Sequence, residues 1–260
     1  MVARMIVELA HVSHGASGPP LVILHGLLGS ARNWNRIARQ LALTHRVFAL
    51  DLRNHGASPW AEPMTYDQMA QDVCAFLDRQ ELPAATLIGH SMGGKVAMRV
   101  ALEHGLRVER LITVDIAPVA YRHGFNDYLE AMQRLDLDRI GRRAEADAAL
   151  AQNIDDAGVR GFLLQNLVST EDKLAWRVPL SALADAMPEL MGFPQAPDER
   201  YDGPTLFVTG GRSRYVRPEH HEVILGLFPH ARFVAIEEAG HWVQAEAPER
   251  FLELVEGFLA

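Results

Sequence analysis

The hydrophobic residues of this 260-residue chain gather in short unbroken runs rather than in alternation. Leu21–Leu24, Val47–Leu50, Ala84–Ile88, Leu111–Val114, Leu206–Thr209 and Phe233–Ile236 are the clearest. A half-exposed strand alternates apolar with polar residues, so runs without alternation predict strands covered on both faces, as in a parallel sheet between helices. Segments of helical period separate them. In the last of these, Pro248 suits a first helical turn, and Phe251, Leu254, Val255, Phe258 and Leu259 form one apolar stripe. This alternation predicts an α/β protein with an open, mostly parallel, doubly wound sheet. Ligands of such sheets bind beyond the carboxyl ends of the strands.

The rhythm stops between Pro118 and Asp202. No strand-like run is evident there; Asn126–Leu137 and Gly158–Val168 read as helices, and Pro179, Pro188, Pro194 and Pro197 break up the second half. The expected organisation is a core of residues 1–117 and 201–260, with a helical cap of residues 118–200 inserted between two strands. The cap is an insertion over the carboxyl ends of the strands, not an independent domain.

Composition narrows the partners. With 48% hydrophobic and 22% charged residues the chain has the make-up of a soluble globular protein. Its 25 basic and 33 acidic residues leave a net charge of −8, which speaks against nucleic acid or an anionic membrane as partner. A single cysteine, Cys74, cannot close an intrachain disulfide; it shares a helix face with Ala70, Val73 and Leu77 and reads as a small core residue. The first residues lack a signal-peptide pattern and no run is long enough to span a bilayer. These features predict a cytoplasmic protein, monomeric or a small homo-oligomer.

Gly89-His90-Ser91-Met92-Gly93 lies between the run ending at Ile88 and the helical pattern Val96, Ala97, Val100, Ala101. G-x-S-x-G between strand and helix is a nucleophile elbow: the turn is too tight for side chains at the glycines, and the serine hydroxyl is lifted clear of the sheet. A rival reading exists. Gly89 to Lys95 also fits G-x-x-x-x-G-K, and the run ending at Asp115 resembles the magnesium-binding strand of a P-loop protein. A P-loop needs Ser or Thr at the next position to hold the metal, and this chain has Val96.

Two further elements complete a hydrolase. His25-Gly26-Leu27-Leu28-Gly29 follows the first central strand, where such enzymes place one amide of the oxyanion hole; the residue after the nucleophile supplies the other. Leu27 and Met92 are the candidate donors. Of the 12 histidines, His241 follows the last strand, where the serine–acid–histidine order requires the base. His14, His123, His220, His221 and His230 read as solvated loop residues, and His90 as a packing partner at the elbow. No metal-ligand spacing occurs, so neither metal nor cofactor is expected.

The acid departs from the common pattern. In G-x-x-D-x-x-V after the strand before last, the aspartate position is occupied by Ser213, in Gly210-Gly-Arg-Ser-Arg-Tyr-Val216. Asp115, ending the preceding strand of the sheet, points to the same edge as Ser91 and His241 and is the candidate. A second reading of Asp115, as a cap for the start of the insertion, stays open at this level.

With these residues placed, the chain resembles the YbfF-like esterases of the α/β-hydrolase superfamily and their relatives among the mitochondrial abhydrolase-domain proteins. The resemblance rests on His25–Ser30, Asp51-Leu-Arg-Asn-His-Gly-Ala-Ser58, Gly89–Lys95, Val114–Pro118, Gly210–Ser213 and Ala239–Trp242. It implies the α/β-hydrolase fold, a helical cap inserted after the sixth strand, and an acid after that strand, matching Asp115. It also implies hydrolysis of short to medium acyl esters, with acyl-CoA thioesters as the alternative substrate class. Candidate substrate contacts are His25, Leu28, Tyr121, Phe125 and Trp242; as a bland alternative, the aromatics of the insertion, with Tyr128 and Phe162, form its core. Perhydrolase, carbon–carbon hydrolase and acyltransferase chemistry use the same triad, and a non-catalytic ligand-binding role is the alternative of a different class.

Overall fold

A computed structural model describes residues 5–122, 125–171, 173–196 and 198–260. His123 and Pro197 lie outside the described residues. The chain opens with β1 (His11–His14), a largely exposed strand that no apolar run announced, and the apolar runs then form the strands expected of them: β2 (Pro20–Leu24), β3 (Arg46–Leu50), β4 (Ala85–His90) and β5 (Val108–Val114). After a two-stranded hairpin, β6 (Leu167–Ser169) and β7 (Leu174–Trp176), come β8 (Thr205–Gly210) and β9 (Ala231–Ile236). The main sheet has the order β1-β3-β2-β4-β5-β8-β9. Only β1 is antiparallel to its neighbour in this sheet.

Both faces of the sheet are apolar because successive side chains of each run point to opposite sides. Leu21 and Ile23, Val47 and Ala49 pack into one cluster with α1 (Asn35–Leu41), whose Trp34 lead-in meets Phe251. Val22 and Leu24, Phe48 and Leu50 pack into the other with α2 (Tyr66–Arg79) and α3 (Met92–Glu103). Cys74 on α2 is half-buried against this cluster, and burial pushes its thiol up to about 11.

Between β5 and β8 the chain forms α4 (Asn126–Gln133), α5 (Arg143–Leu150), α6 (Ala157–Leu164), the hairpin, and α7 (Leu180–Met191). Leu129, Met132, Leu150, Leu163, Leu183 and Met187 of this insert belong to the same apolar cluster as α2 and α3. The end of α7 is tied down: Tyr66 Oη donates to Leu190 O at 2.6 Å, and Lys95 Nζ donates to Met191 O and Gly192 O. Lys95 is fully buried, and desolvation lowers its amine to about 7. The last helices, α8 (His221–Leu227), α9 (Val243–Glu246) and α10 (Pro248–Leu259), flank the final strands.

Three expectations change here. The insert is not purely helical, because Leu167–Ser169 pairs with Leu174–Trp176. Its second half is not broken at Pro188, which sits inside α7; buried Leu183, Met187 and Leu190 hold the helix despite one missing N–H. Counted along the described chain, the strand before the insert is the fifth rather than the sixth, since residues 5–10 form no strand.

Candidate active site

β4 ends at His90 and α3 begins at Met92, leaving Ser91 alone at the bend with φ 52° and ψ −119°. That conformation is strained for any residue with a Cβ, and it survives because the turn is held on both sides. A Cβ on Gly89 would come within 2.2 Å of Gly93 O, and one on Gly93 within 2.4 Å of Leu24 O. Ser91 N–H donates to Val114 O at 3.0 Å, which fixes the bend against the next strand. Met92, as the first helical residue, has an N–H with no intrahelical acceptor.

Asp115 follows β5 and adopts φ 50°. Its N–H donates to Val208 O at 2.8 Å, and its fully buried carboxylate is surrounded by donors. Gly210 N–H donates to Oδ1 at 3.1 Å; Oδ2 accepts both His241 Nδ1–H at 2.8 Å and the Ser213 hydroxyl. With Nδ1 so engaged, His241 turns Nε2 the other way, where it is buried and has no hydrogen-bond partner among the described residues. Tyr215 stacks on the imidazole, ring centres 4.0 Å apart and planes 20° from parallel. His90 braces it from another side, donating Nε2–H to His241 O at 2.8 Å. Burial, and then the nearby His241, hold the His90 ring well below its ordinary pKa.

The turn bearing Leu27 is locked by two histidines in a reciprocal exchange. His25 Nε2 accepts Leu52 N–H at 3.0 Å, and His55 Nε2 accepts Leu28 N–H at 3.0 Å. Each Nδ1–H donates to a carbonyl, His25 to Gly26 O at 2.7 Å and His55 to Arg53 O at 2.9 Å. A protonated ring would set N–H against N–H, so both rings are neutral. Burial drives His25 down to about 4; burial and the adjacent His25 drive His55 down to about 3. The Leu27 N–H donates to no other described group, so both expected oxyanion donors are unengaged.

A cavity of about 570 Å³ opens onto Ser91 and His241. His25, Leu27, Phe125, Phe162, Trp242 and the glycine face of α6 line it. A second, of about 30 Å³, adjoins it at Leu27, Ser91 and Phe125 and runs between Tyr121, Lys95 and Met187. The structure thus brings Ser91, Asp115, His241, Leu27, His25, Phe125 and Trp242 to one place, with Tyr121 in the smaller cavity. Leu28 is not there: its left-handed backbone (φ 60°) turns the side chain into the core, where it is 1% exposed. Tyr128 meets neither cavity and packs edge-on against Phe125. His220 is buried rather than solvated, folded against Tyr121 by the turn at Pro218.

Two residues of the site escaped sequence reasoning. Tyr215 left no signal, since a stacking ring has no spacing rule. Ser213 did: it occupies the position from which an aspartate would reach the histidine, and from there it reaches Asp115 instead.

This strand order with a serine elbow, a carboxylate-held histidine and free amides defines an α/β hydrolase. Residues 19–248 match the alpha/beta hydrolase fold family, and the chain belongs to it, among its esterase-type members. It is 41% identical to the sn-1-specific diacylglycerol lipase ABHD11 of Mus musculus, over 94% of this chain and 82% of that protein. It is 38% identical to the esterase YbfF of Escherichia coli strain K12, over 100% and 99%. A marine microorganism esterase of known structure superimposes with a TM-score of 0.94 at 36% identity, over 97% and 99% of the two chains. No helix among the described residues is long and apolar enough to cross a membrane.

Proposed function

We propose that the protein is a serine hydrolase that cleaves carboxylic esters and thioesters of short to medium acyl chains through an acyl-enzyme on Ser91. The observation that carries this reading is the buried Nε2 of His241, without a hydrogen-bond partner among the described residues, in the cavity Ser91 lines, on a ring whose Nδ1 is held by Asp115 at 2.8 Å. A serine hydroxyl is a poor nucleophile until a base takes its proton, and this nitrogen is the base. Ser91 Oγ adds to the acyl carbon as His241 accepts the proton, and the oxygen that gains negative charge lies against the Leu27 and Met92 amides. His241 then protonates the departing alcohol or thiol. Water, deprotonated by the same nitrogen, cleaves the acyl-enzyme and restores Ser91. Asp115 stays ionised, orienting the ring and stabilising its cationic form.

The larger cavity has the size of a small-molecule site and apolar walls at Phe125, Phe162 and Trp242, suited to an acyl chain. We assign residues 118–200 the part of a cap over this cavity, since Phe125, Val159 and Phe162 come from the insert. The test is labelling with a fluorophosphonate probe, with turnover of p-nitrophenyl esters graded by chain length and of acyl-CoA thioesters. Wild type labels and turns over both classes, favouring short to medium chains, and Ser91→Ala does neither. An unlabelled, inactive wild type overturns the proposal.

A further inference from the structure

The turn that carries the Leu27 amide holds a residue that does not suit it. Gly29 N–H donates to Gly26 O at 2.9 Å, closing a four-residue turn whose third residue is Leu28 at φ 60°. That position ordinarily takes glycine or asparagine, because a Cβ there crowds the following carbonyl. Such a conformation persists only where its surroundings over-determine it. His55 does so from the core side, accepting Leu28 N–H. From the insert, Asn166 Nδ2 donates to Leu28 O at 2.8 Å.

Asn166 sits between α6 and β6, is 3% exposed, and is itself fixed: Nδ2 also reaches Leu163 O at 3.3 Å, and its backbone carbonyl accepts Arg177 N–H at 2.8 Å. The bonds form a line. Asn166 Nδ2–H holds Leu28 C=O; the same peptide's N–H, on Gly29, holds Gly26 C=O; and that peptide's N–H is the Leu27 donor. Each link orients the next peptide, and bonds in such a chain polarise one another.

We propose that Asn166, a residue of the insert, positions the oxyanion hole by holding the Leu28 peptide, so that Leu27 N–H is aimed at the reacting oxygen. This rests on reading Ser91 as nucleophile and Leu27 N–H as oxyanion donor. Asn166 touches no reacting atom; it is a positioning residue.

The test uses Asn166→Asp, nearly isosteric but without the donor, and Asn166→Ala. Two ketones of equal chain length are compared as inhibitors. A trifluoromethyl ketone is attacked by Ser91: the Oγ–carbon bond forms, the carbonyl oxygen takes the electron pair, and the proton passes to His241. Its methyl ketone counterpart binds as an intact carbonyl. Both variants are expected to lose about 10- to 100-fold in kcat and in trifluoromethyl ketone affinity, a fraction of what removing an oxyanion donor costs. KM and methyl ketone affinity stay within about threefold, since ground-state binding does not use the hole. Equal losses for the two ketones, or wild-type kcat in both variants, overturn the proposal. Where a variant melts earlier, the ratio of the two affinities, read below the transition, still reports on folded protein. A wild type that binds the two ketones alike instead defeats the reading of Ser91, and this inference with it.

Discussion

Ser213 donates its hydroxyl hydrogen to Asp115 Oδ2, the oxygen that also accepts His241 Nδ1–H. The serine at the position where the common pattern has its aspartate is therefore bonded to the carboxylate proposed as the acid. Hydrogen bonds to charged groups contribute about 1.5–3 kcal/mol, and in the proposed mechanism part of this one would steady the carboxylate beneath His241. Ser213→Ala is expected to lower kcat about tenfold with KM little changed. Steady-state kinetics on one ester series decide it; a change confined to KM would place Ser213 in substrate binding instead.

Asp115→Asn keeps the shape of the side chain but exchanges an acceptor for a donor at His241 Nδ1. The ring must then present the wrong nitrogen to Ser91, and turnover should drop by about 10³–10⁴-fold, the loss typical when a triad aspartate becomes asparagine. Circular dichroism should show the fold retained. Turnover within tenfold of wild type would mean that another carboxylate orients His241.

The buried histidine pair sets an acid limit on stability. His25 and His55 have pKa values lowered from 6.5 to about 4 and about 3, so between those values and 6.5 the unfolded chain binds more protons than the folded one. Stability from this pair is fully present above pH 6.5 and is lost as pH falls toward 4, by up to about 1.4 kcal/mol per pH unit for each group. The melting temperature should fall over this window. His55→Asn should flatten the slope relative to wild type; an unchanged slope would assign the acid sensitivity to other groups.

Gly161 lies in the interior of α6 and lines the large cavity, and a Cβ there meets nothing within 4 Å among the described residues outside its own helix backbone. Gly161→Ala should raise stability by about 0.5–1 kcal/mol, since glycine is a poor helix former. Gly161→Leu should fill the cavity, reducing kcat/KM for the longer esters of a p-nitrophenyl series more than for acetate. A uniform reduction across the series would put the acyl chain elsewhere.

Much of this was readable along the chain. Continuous apolar runs have one stable home, between two layers of helices, so β2 to β5, β8 and β9 were legible. The elbow was legible because the tight approach of Gly89 to Gly93 demands glycine, and His241 as a candidate because it follows the last strand. The edge strand β1, largely exposed in His11-Val-Ser-His14, carries no such pattern, and the hairpin β6–β7 is too short to show a period.

The candidates for nucleophile, base and acid were therefore contained in local sequence, because strand, turn and helix propensities act over a few residues. Their meeting was decided by the tertiary structure. Asp115 and His241 are 126 positions apart, and only the order β4-β5-β8-β9 brings their loops to one edge. The same holds for Ser213 on Asp115, Tyr215 on His241 and Asn166 on Leu28: each contact joins distant segments across the sheet or between sheet and insert. Leu28 shows the reason most directly. By residue type it belongs in the cavity, and a backbone rotation that its own sequence disfavours, held by His55 and Asn166, sends it into the core.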